Sequence, residues 1–362
     1  MQKHSFCTPS TNHSQIRYNQ EITMKNTPKT TTSPRKILVT GGGGFIGKAI
    51  VKRLVDQGDH VYSFSRKYYK DLDRLQVEQI QGDIADKSAM NKAVRGMEIV
   101  FHTAARPGVW GSYKSFYLPN VIGTQNVIDA CLKHNVSNLI HTSSPSVIFD
   151  GSDMEGVDES VPYPDHYLAH YPKTKAMAEK AVKNISAEIG TVCLRPHLVW
   201  GPGDNHLVPR VLARGKAGRL MQVGNGLNKV DVTYIDNAAD AHILAAEKLA
   251  QKPDLSGKVY FITQDDPIPL WDMVNAILKA GGITPVKRSV STRTAYLLGA
   301  CFEFLYKACH IQKEPPMTRF VAEELAKAHW FNISAAKKDL GYIPKVSTQE
   351  GLKKLKTWLD TL

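Results

Sequence analysis

The sequence predicts an α/β fold in which one doubly wound parallel sheet carries helices on both faces. Three observations predict it: short apolar runs alternate with helix-length segments from Lys36 onward, a glycine-rich turn follows the first run, and the regularity lasts until Gly201. The runs are Ile37–Thr40, His60–Ser65, Glu78–Gln81, Ile99–His102, Asn138–Ser143 and Thr191–Arg195, each rich in β-branched or aromatic residues. Between them Lys48–Gln57, Ser88–Arg95, Val121–His134 and Thr174–Ile185 have the length of helices. Right-handed crossovers then place all the strands in one sheet.

At 362 residues and 42% hydrophobic, the chain can bury a large core and carry a second lobe. Residues 1–35 are rich in Thr, Ser, Asn, Gln and Lys, show no apolar period, and read as a disordered tail, with Met24 as an alternative start. Residues 36–200 are the predicted sheet domain. Residues 201–362 are expected to form mainly a smaller substrate lobe, some segments returning to the sheet domain, with helices at about 236–250, 270–280 and 291–309. Inside the last of these, residues 296–306 are apolar nearly all round. They read first as a buried helix or a wall of the substrate pocket, and second as a shallow peripheral contact with a membrane.

The formal charge of +12 is not read as a nucleic-acid footprint. Lys3, Arg17, Lys25, Lys29, Arg35 and Lys36 meet only Glu21 in the first 36 residues, so that segment alone holds +5. The rest is scattered, apart from Lys353, Lys354 and Lys356 on the wet face of a terminal helix. No run reaches the roughly 18 apolar residues that span a bilayer, and no signal-like apolar run opens the chain, so a cytoplasmic location is the default expectation. Cys7, Cys131, Cys193, Cys301 and Cys309 form no CxxC pair; reduced structural thiols are expected, and no metal site.

Gly41, Gly44 and Gly47 form a GxxGxxG set between the first strand and the first helix, with Phe45 and Ile46 inside it. The first glycine permits a tight turn, the second lets a pyrophosphate approach the backbone, and the third lets helix pack on strand. The helix N-terminus adds free N–H groups and partial positive charge for an anion. The pattern therefore predicts dinucleotide binding. Which dinucleotide depends on the second strand end, where an acid bonds a ribose 2′-hydroxyl and a base holds a 2′-phosphate. Ser65 and Arg66 stand there without a carboxylate, followed by Lys67, so NADP(H) is preferred and NAD(H) is the alternative. Asp71 and Asp73 lie too far along the following loop to replace the missing acid. Further strand ends supply Asp83 and Ile84 for the adenine, and the small Ala104 and Ala105; the neighbouring His102 reads as structural.

Tyr171 and Lys175 lie four residues apart and so share one face of a helix, with Pro172 in its first turn. A free tyrosine titrates near 10, too high for a base at neutrality, and a nearby ammonium lowers that value. Lys175 can also bond the nicotinamide ribose. Upstream, His141-Thr142-Ser143-Ser144-Pro145-Ser146 closes the fifth strand, and Ser144 is the hydroxyl chosen to hold the substrate oxygen.

Together these residues resemble the extended short-chain dehydrogenase/reductases, and within them the 3β-hydroxysteroid dehydrogenase group, from about Lys36 to the C-terminus. The resemblance implies a Rossmann fold, a Ser144-Tyr171-Lys175 catalytic set, and cofactor contacts that include Thr142. Asn120 in Asn120-Val121-Ile122-Gly123-Thr124 is similar to the family's helix asparagine, a structural and proton-relay position. Pro196 and Leu198, in Arg195-Pro196-His197-Leu198-Val199-Trp200-Gly201, are similar to the strand and loop beside the nicotinamide. Residues 144–151 and 262–271 look like both sterol-4α-carboxylate 3-dehydrogenases and bacterial 2-alkyl-3-oxoalkanoate reductases. The second strand separates them: the sterol enzymes are expected to carry an acid there, whereas Ser65-Arg66 suits an NADPH-using reductase. The resemblance thus implies reduction of a β-keto acid with a large apolar body, an acidic lipid-like substrate, and a homodimer built beside the Tyr171 helix. The rivals are a 3β-hydroxysteroid or sterol-4α-carboxylate dehydrogenase using NAD(P)⁺ and, more distantly, a nucleotide-sugar epimerase or dehydratase.

Overall fold

The six apolar runs become strands β1 Lys36–Thr40, β2 His60–Ser65, β3 Glu78–Gln81, β4 Ile99–His102, β5 Asn138–Thr142 and β6 Gly190–Pro196 in the computed structural model, which describes residues 1–2 and 33–362. A seventh strand, β7 Lys258–Ile262, comes from the segment assigned to the lobe. The order is β7-β6-β5-β4-β1-β2-β3, and every neighbouring pair is parallel. Residues 3–32 lie outside the described residues, and with them nearly all of the expected tail and Cys7. Arg35, the last residue expected in that tail, belongs to the fold: its guanidinium donates to both Asp59 carboxylate oxygens, at 2.9 and 2.6 Å.

Alternation along β1 sets the layers. Ile37 and Val39 point to one face, against Ile50 and Leu54 of helix α1 (Phe45–Asp56) and Ala239, Ala246 and Leu249 of the helix Ile235–Gln251. Leu38 points to the other, where Val94, Val127 and Val182 come from the helices Lys87–Val94, Gly123–Lys133 and His170–Asn184. Covered on both faces, β5 has every residue buried, the pattern a doubly wound sheet requires.

Helix starts differ from the sequence pattern where the turns have their own chemistry. Helix α1 begins at Phe45 rather than Lys48, because the Lys48 amide already bonds back to the Gly44 carbonyl at 2.8 Å. The helix expected from Val121 is entered through a wide π-turn, Leu118–Ile122, that sets Asn120 into the interior. Pro172 sits in the first turn of His170–Asn184, where its missing N–H costs nothing.

A second sheet, ordered Ile268–Pro269, Lys229–Val230, His329–Phe331 and Met154–Val157, joins segments expected in the lobe to one expected in the sheet domain. The core of the lobe is built on Trp200, Tyr234 and Trp271. The helix Thr292–Ala308 departs from its first reading as a buried helix. It buries only Ala295, Gly299 and Glu303, while Leu297, Leu298, Phe304 and Leu305 are exposed, Phe304 at 72%. Glu303 is tied down by Arg319, which explains how a lone acid is accommodated on the inner face of an apolar helix. No helix among the described residues is long and apolar enough to cross a membrane. Cys131 and Cys193 are buried free thiols as the sequence suggests, but Cys301 and Cys309 are exposed rather than structural.

Candidate active site

A cleft of about 850 Å³ lies where the strands end, and every residue selected from the sequence lines it except Asn120. Its floor begins at the glycine turn. Gly41 has φ +73°, its amide bonds to the Phe64 carbonyl at 2.7 Å, and a Cβ there would lie 3.0 Å from the Ala104 backbone. A Cβ on Gly47 would collide with the Gly41 carbonyl, so helix α1 approaches the turn only with glycine at that position. Gly44, the helix N-cap, leaves its surface open to the cleft beside Phe45 and Ile46. A glycine turn leading into a helix N-terminus in this way fits a pyrophosphate, which free N–H groups and the helix dipole favour there.

Ser65 and Arg66 close the cleft at the end of β2, with Lys67 beside them. The two acids further along are engaged elsewhere: Asp71 pairs with Lys48, and Asp73 accepts from Tyr68 and Gln79 at 2.6 and 2.7 Å. Arg66 is exposed and reaches the cleft from the strand end. After β3, Asp83 bonds the Ala85 amide at 2.9 Å, and the Ile84 carbonyl accepts from Asn126 at 2.9 Å. After β4, Ala104 and Ala105 line the middle of the cleft. His102 lies beneath them, buried between the Thr40 and Thr124 hydroxyls at 2.7 and 2.9 Å, and burial pushes it down to about 3. It is a neutral structural imidazole. Asn120 is buried out of the cleft; its amide accepts from the Arg106 amide at 2.7 Å and donates to the Thr174 hydroxyl at 3.0 Å, fixing the Arg106 loop to the Tyr171 helix.

Ser144, Tyr171 and Lys175 meet in the same cleft. Ser144 caps the short turn Pro145–Ile148, its hydroxyl 2.9 Å from that of Ser146. Burial pushes the Tyr171 phenol above its ordinary value, while the Ser144 hydroxyl facing it pulls it back and Glu324 pushes it up. The expected lowering of Tyr171 by Lys175 is therefore absent here. The Lys175 ammonium instead donates to the Thr142 carbonyl at 2.6 Å and lies 3.3 Å from His141 Nε2. Burial brings Lys175 down to about 8, and Glu179 opposes that shift. Pro196 and Leu198 line the opposite wall, and Leu198 holds a left-handed φ of +40°, a strained backbone for a leucine.

One layer beneath Lys175 is a group that the motif search passed over. Glu179 and Arg195 form a fully buried bidentate pair at 2.6 and 3.0 Å, and Tyr163 donates to the same carboxylate. The signal was present, because Glu179 stands four residues after Lys175 and thus on its face of the helix. Tyr69, Thr103, Arg106 and His206 also line the cleft without having been singled out, since each lies in a loop with no spacing to mark it.

The family model described as the 3-beta hydroxysteroid dehydrogenase/isomerase family matches residues 38–292. The chain is 48% identical over 324 residues to the 2-alkyl-3-oxoalkanoate reductase of Stenotrophomonas maltophilia, covering 89% of this chain and 98% of that relative. It is 33% identical over 326 residues to a sterol-4-alpha-carboxylate 3-dehydrogenase, decarboxylating, of Mus musculus, covering 88% and 90%. A crystal structure of UDP-glucuronic acid 4-epimerase from Bacillus cereus in complex with NAD matches with a TM-score of 0.70 at 24% identity, over 90% of this chain and 99% of that one, a likeness of fold.

The buried pair yields a stability prediction. Glu179→Gln leaves Arg195 charged and unpaired in the interior and should cost about 3–5 kcal/mol in urea unfolding at pH 7. Burial disfavours the Glu179 charge, but Arg195 more than offsets this and holds the carboxyl below its ordinary 4.5. A depressed carboxyl contributes its stability above the unfolded value and loses it as pH falls through the folded one. The gap between wild type and variant should therefore be full at pH 6–7 and shrink only in more acidic buffer. Equal midpoints at pH 7 would show that Arg195 finds another acceptor.

Proposed function

The chain belongs to the 3-beta hydroxysteroid dehydrogenase/isomerase family, and we propose that it uses NADPH to reduce the 3-keto group of a large apolar β-keto acid, of the 2-alkyl-3-oxoalkanoate type, to the 3-hydroxy acid. As a member it is an NAD(P)-dependent oxidoreductase acting on CH–OH groups. The observation that carries the reading is the convergence of Ser144 and a proton-holding Tyr171 on one cleft with the glycine turn. The two bacterial relatives near half identity, each named 2-alkyl-3-oxoalkanoate reductase, support the substrate class.

Bound NADPH supplies the hydride. The Gly41–Gly47 turn and the first turn of helix α1 would hold its pyrophosphate, Arg66 and Ser65 its 2′-phosphate, and Asp83 and Ile84 its adenine end. Ala104, Ala105, Pro196 and Leu198 would line the place of the nicotinamide, and Lys175, seated on Thr142, would bond its ribose. Ser144 donates to the substrate carbonyl and fixes it toward Tyr171. The Tyr171 hydroxyl gives its proton to the oxygen as negative charge develops there, a positioned acid of the kind worth 10²–10⁴-fold in rate. The Ser144 hydroxyl, which faces the phenol and lowers it, would stabilise the phenolate left behind, while the Lys175 ammonium would hold the nicotinamide ribose. The sterol reading is disfavoured by the end of β2, where no carboxylate stands to take a ribose hydroxyl. The exposed stripe Leu297, Leu298, Phe304 and Leu305 supports shallow contact of this face with a lipid surface, where such a substrate partitions.

Tyr171→Phe should abolish turnover of 2-alkyl-3-oxo acids while the NADPH Kd, measured by fluorescence titration, changes less than about threefold; retained turnover would remove Tyr171 from proton transfer. Arg66→Asp should move the NADPH:NADH ratio of kcat/KM toward NADH by at least tenfold, the scale of one lost charged contact. An unmoved ratio would place the 2′-phosphate elsewhere. The ammonium form of Lys175 is lost as pH rises through about 8, so the rate of reduction should fall above that pH. Lys175→Arg, which stays charged, should lack this alkaline limb in a pH–rate profile even where its overall rate is lower.

A further inference from the structure

A second cavity of about 330 Å³ has no lining residue in common with the catalytic cleft, but its walls come from chain segments that adjoin those of the cleft. Arg106 and Pro107 line the large cleft, whereas Val109 and Trp110 of the same loop line the small one. Likewise Tyr171 faces the large cleft, and Leu168, Ala169 and His170 just before it face the small one. The far wall is the inner face of the helix Thr292–Ala308, and Phe320 contributes a buried ring that stands edge-on to Phe149, at 5.9 Å between centroids. Phe149 follows the turn that Ser144 caps, so the cavity rests on the same substructure as the catalytic hydroxyl.

The lining is apolar where it is deep and cationic where it opens. Val109, Trp110, Tyr306 and Phe320 supply carbon surface, and the one acid, Glu303, is neutralised by Arg319 through contacts of 2.8 and 3.0 Å. At the rim stand Lys307 and His310, both exposed. The Trp110 indole donates to the Ile311 carbonyl at 3.2 Å and meets Tyr306 edge-on, an aromatic bar across the opening. A pocket of 300 Å³ or more with mostly apolar walls is of ligand size. The catalytic cleft, by contrast, must hold a whole dinucleotide and ends in polar residues such as Ser144, Asp204 and His206.

We propose that the second cavity is the binding site for one alkyl chain of the substrate, entered between Lys307 and His310, where the Lys307 ammonium attracts an amphiphile carrying a carboxylate. This rests on the β-keto acid reading above. The reacting carbonyl at Ser144 and Tyr171 then projects its chain between the Arg106–Ser112 loop and the Thr292–Ala308 helix. The chain exchanges water for carbon surface, and the anionic head is drawn to the cationic rim during approach.

The probe is a long-chain fatty acid brominated in its tail, whose bromine quenches an indole it touches. Added to the full chain, it should quench tryptophan emission saturably, and Trp110→Phe should remove most of that saturable amplitude. Equal amplitudes in the two proteins overturn the proposal. In a second arm, Val109→Trp fills the cavity and should lower the ratio of kcat/KM for long-chain over short-chain β-keto acids by roughly tenfold; an unchanged ratio overturns it as well. Should neither protein reduce any β-keto acid, the catalytic reading fails, while the quenching arm still decides whether the cavity takes an alkyl chain.

Discussion

Parallel pairing of all seven main strands is the constraint on which the rest of the molecule depends. It gathers every strand's carboxyl end at one edge of the sheet, and ligands of such sheets bind in the crevice that the connections leaving that edge form. Thr40 leads into the glycine turn, Ser65 into Arg66, Gln81 toward Asp83, and His102 toward Ala104. Thr142 leads to Ser144, and Pro196 to Leu198. The site is thus a list of strand ends, and the antiparallel pairing available to a meander would have scattered it to both edges. Burial on both faces is the accompanying cost. Polar side chains on these strands must find partners inside, as His102 does with Thr40 and Thr124, and Thr142 with His242 at 2.8 Å.

Placing an ammonium at this edge is expensive, and the surroundings show how the expense is limited. Lys175 is 2% exposed, yet it is brought down only to about 8 and stays mostly protonated at neutrality. A strand-end carbonyl, that of Thr142, accepts a hydrogen bond from it directly. Its histidine neighbours are held neutral: burial and the lysine's own charge push His141 well down, so the cluster holds one charge and not several. Deeper still, Glu179 supplies a compensating negative field while its own charge is matched by Arg195. An apolar layer at that depth would leave Lys175 with no opposing charge and favour the neutral amine.

Much of this was legible in the sequence because it is periodic or glycine-dependent. Six strands, the turn at Gly41 to Gly47, and the Tyr171–Lys175 spacing follow from alternation, backbone φ and helical pitch, which are local properties. β7 carries the same signature in Lys258-Val259-Tyr260-Phe261-Ile262, but it lies beyond the point where the βα rhythm breaks, and only tertiary pairing with β6 assigns it. Asn120 shows the opposite limit. Its motif marks a structural and proton-relay position without telling what it braces, and a wide helical turn sets it inward, where it ties Arg106 to Thr174. The helix over residues 296–306 exceeds sequence reading for another reason. Uniform apolarity does not tell which face is covered, and the side that packs is chosen by Gly299, whose missing Cβ admits the Thr318–Arg319 backbone.

The electrostatics also bear on how Tyr171 works. Motif reasoning made it an acid/base whose value Lys175 lowers; in the folded site burial wins, and the phenol holds its proton more tightly than a free tyrosine. A group that is neutral across the physiological range is an acid until something removes its proton, and a reduction is the direction that uses an acid. Oxidation would need the phenolate first, and without cofactor the only close stabilisation the site gives it is the Ser144 hydroxyl. Under the NADPH proposal Arg66 biases the same choice from the other end of the cleft, because cells keep the NADP pool largely reduced and an enzyme that selects the 2′-phosphate meets mostly NADPH. In that proposal proton donation by Tyr171 is favoured twice through unrelated physics: desolvation at one end and charge pairing at the other.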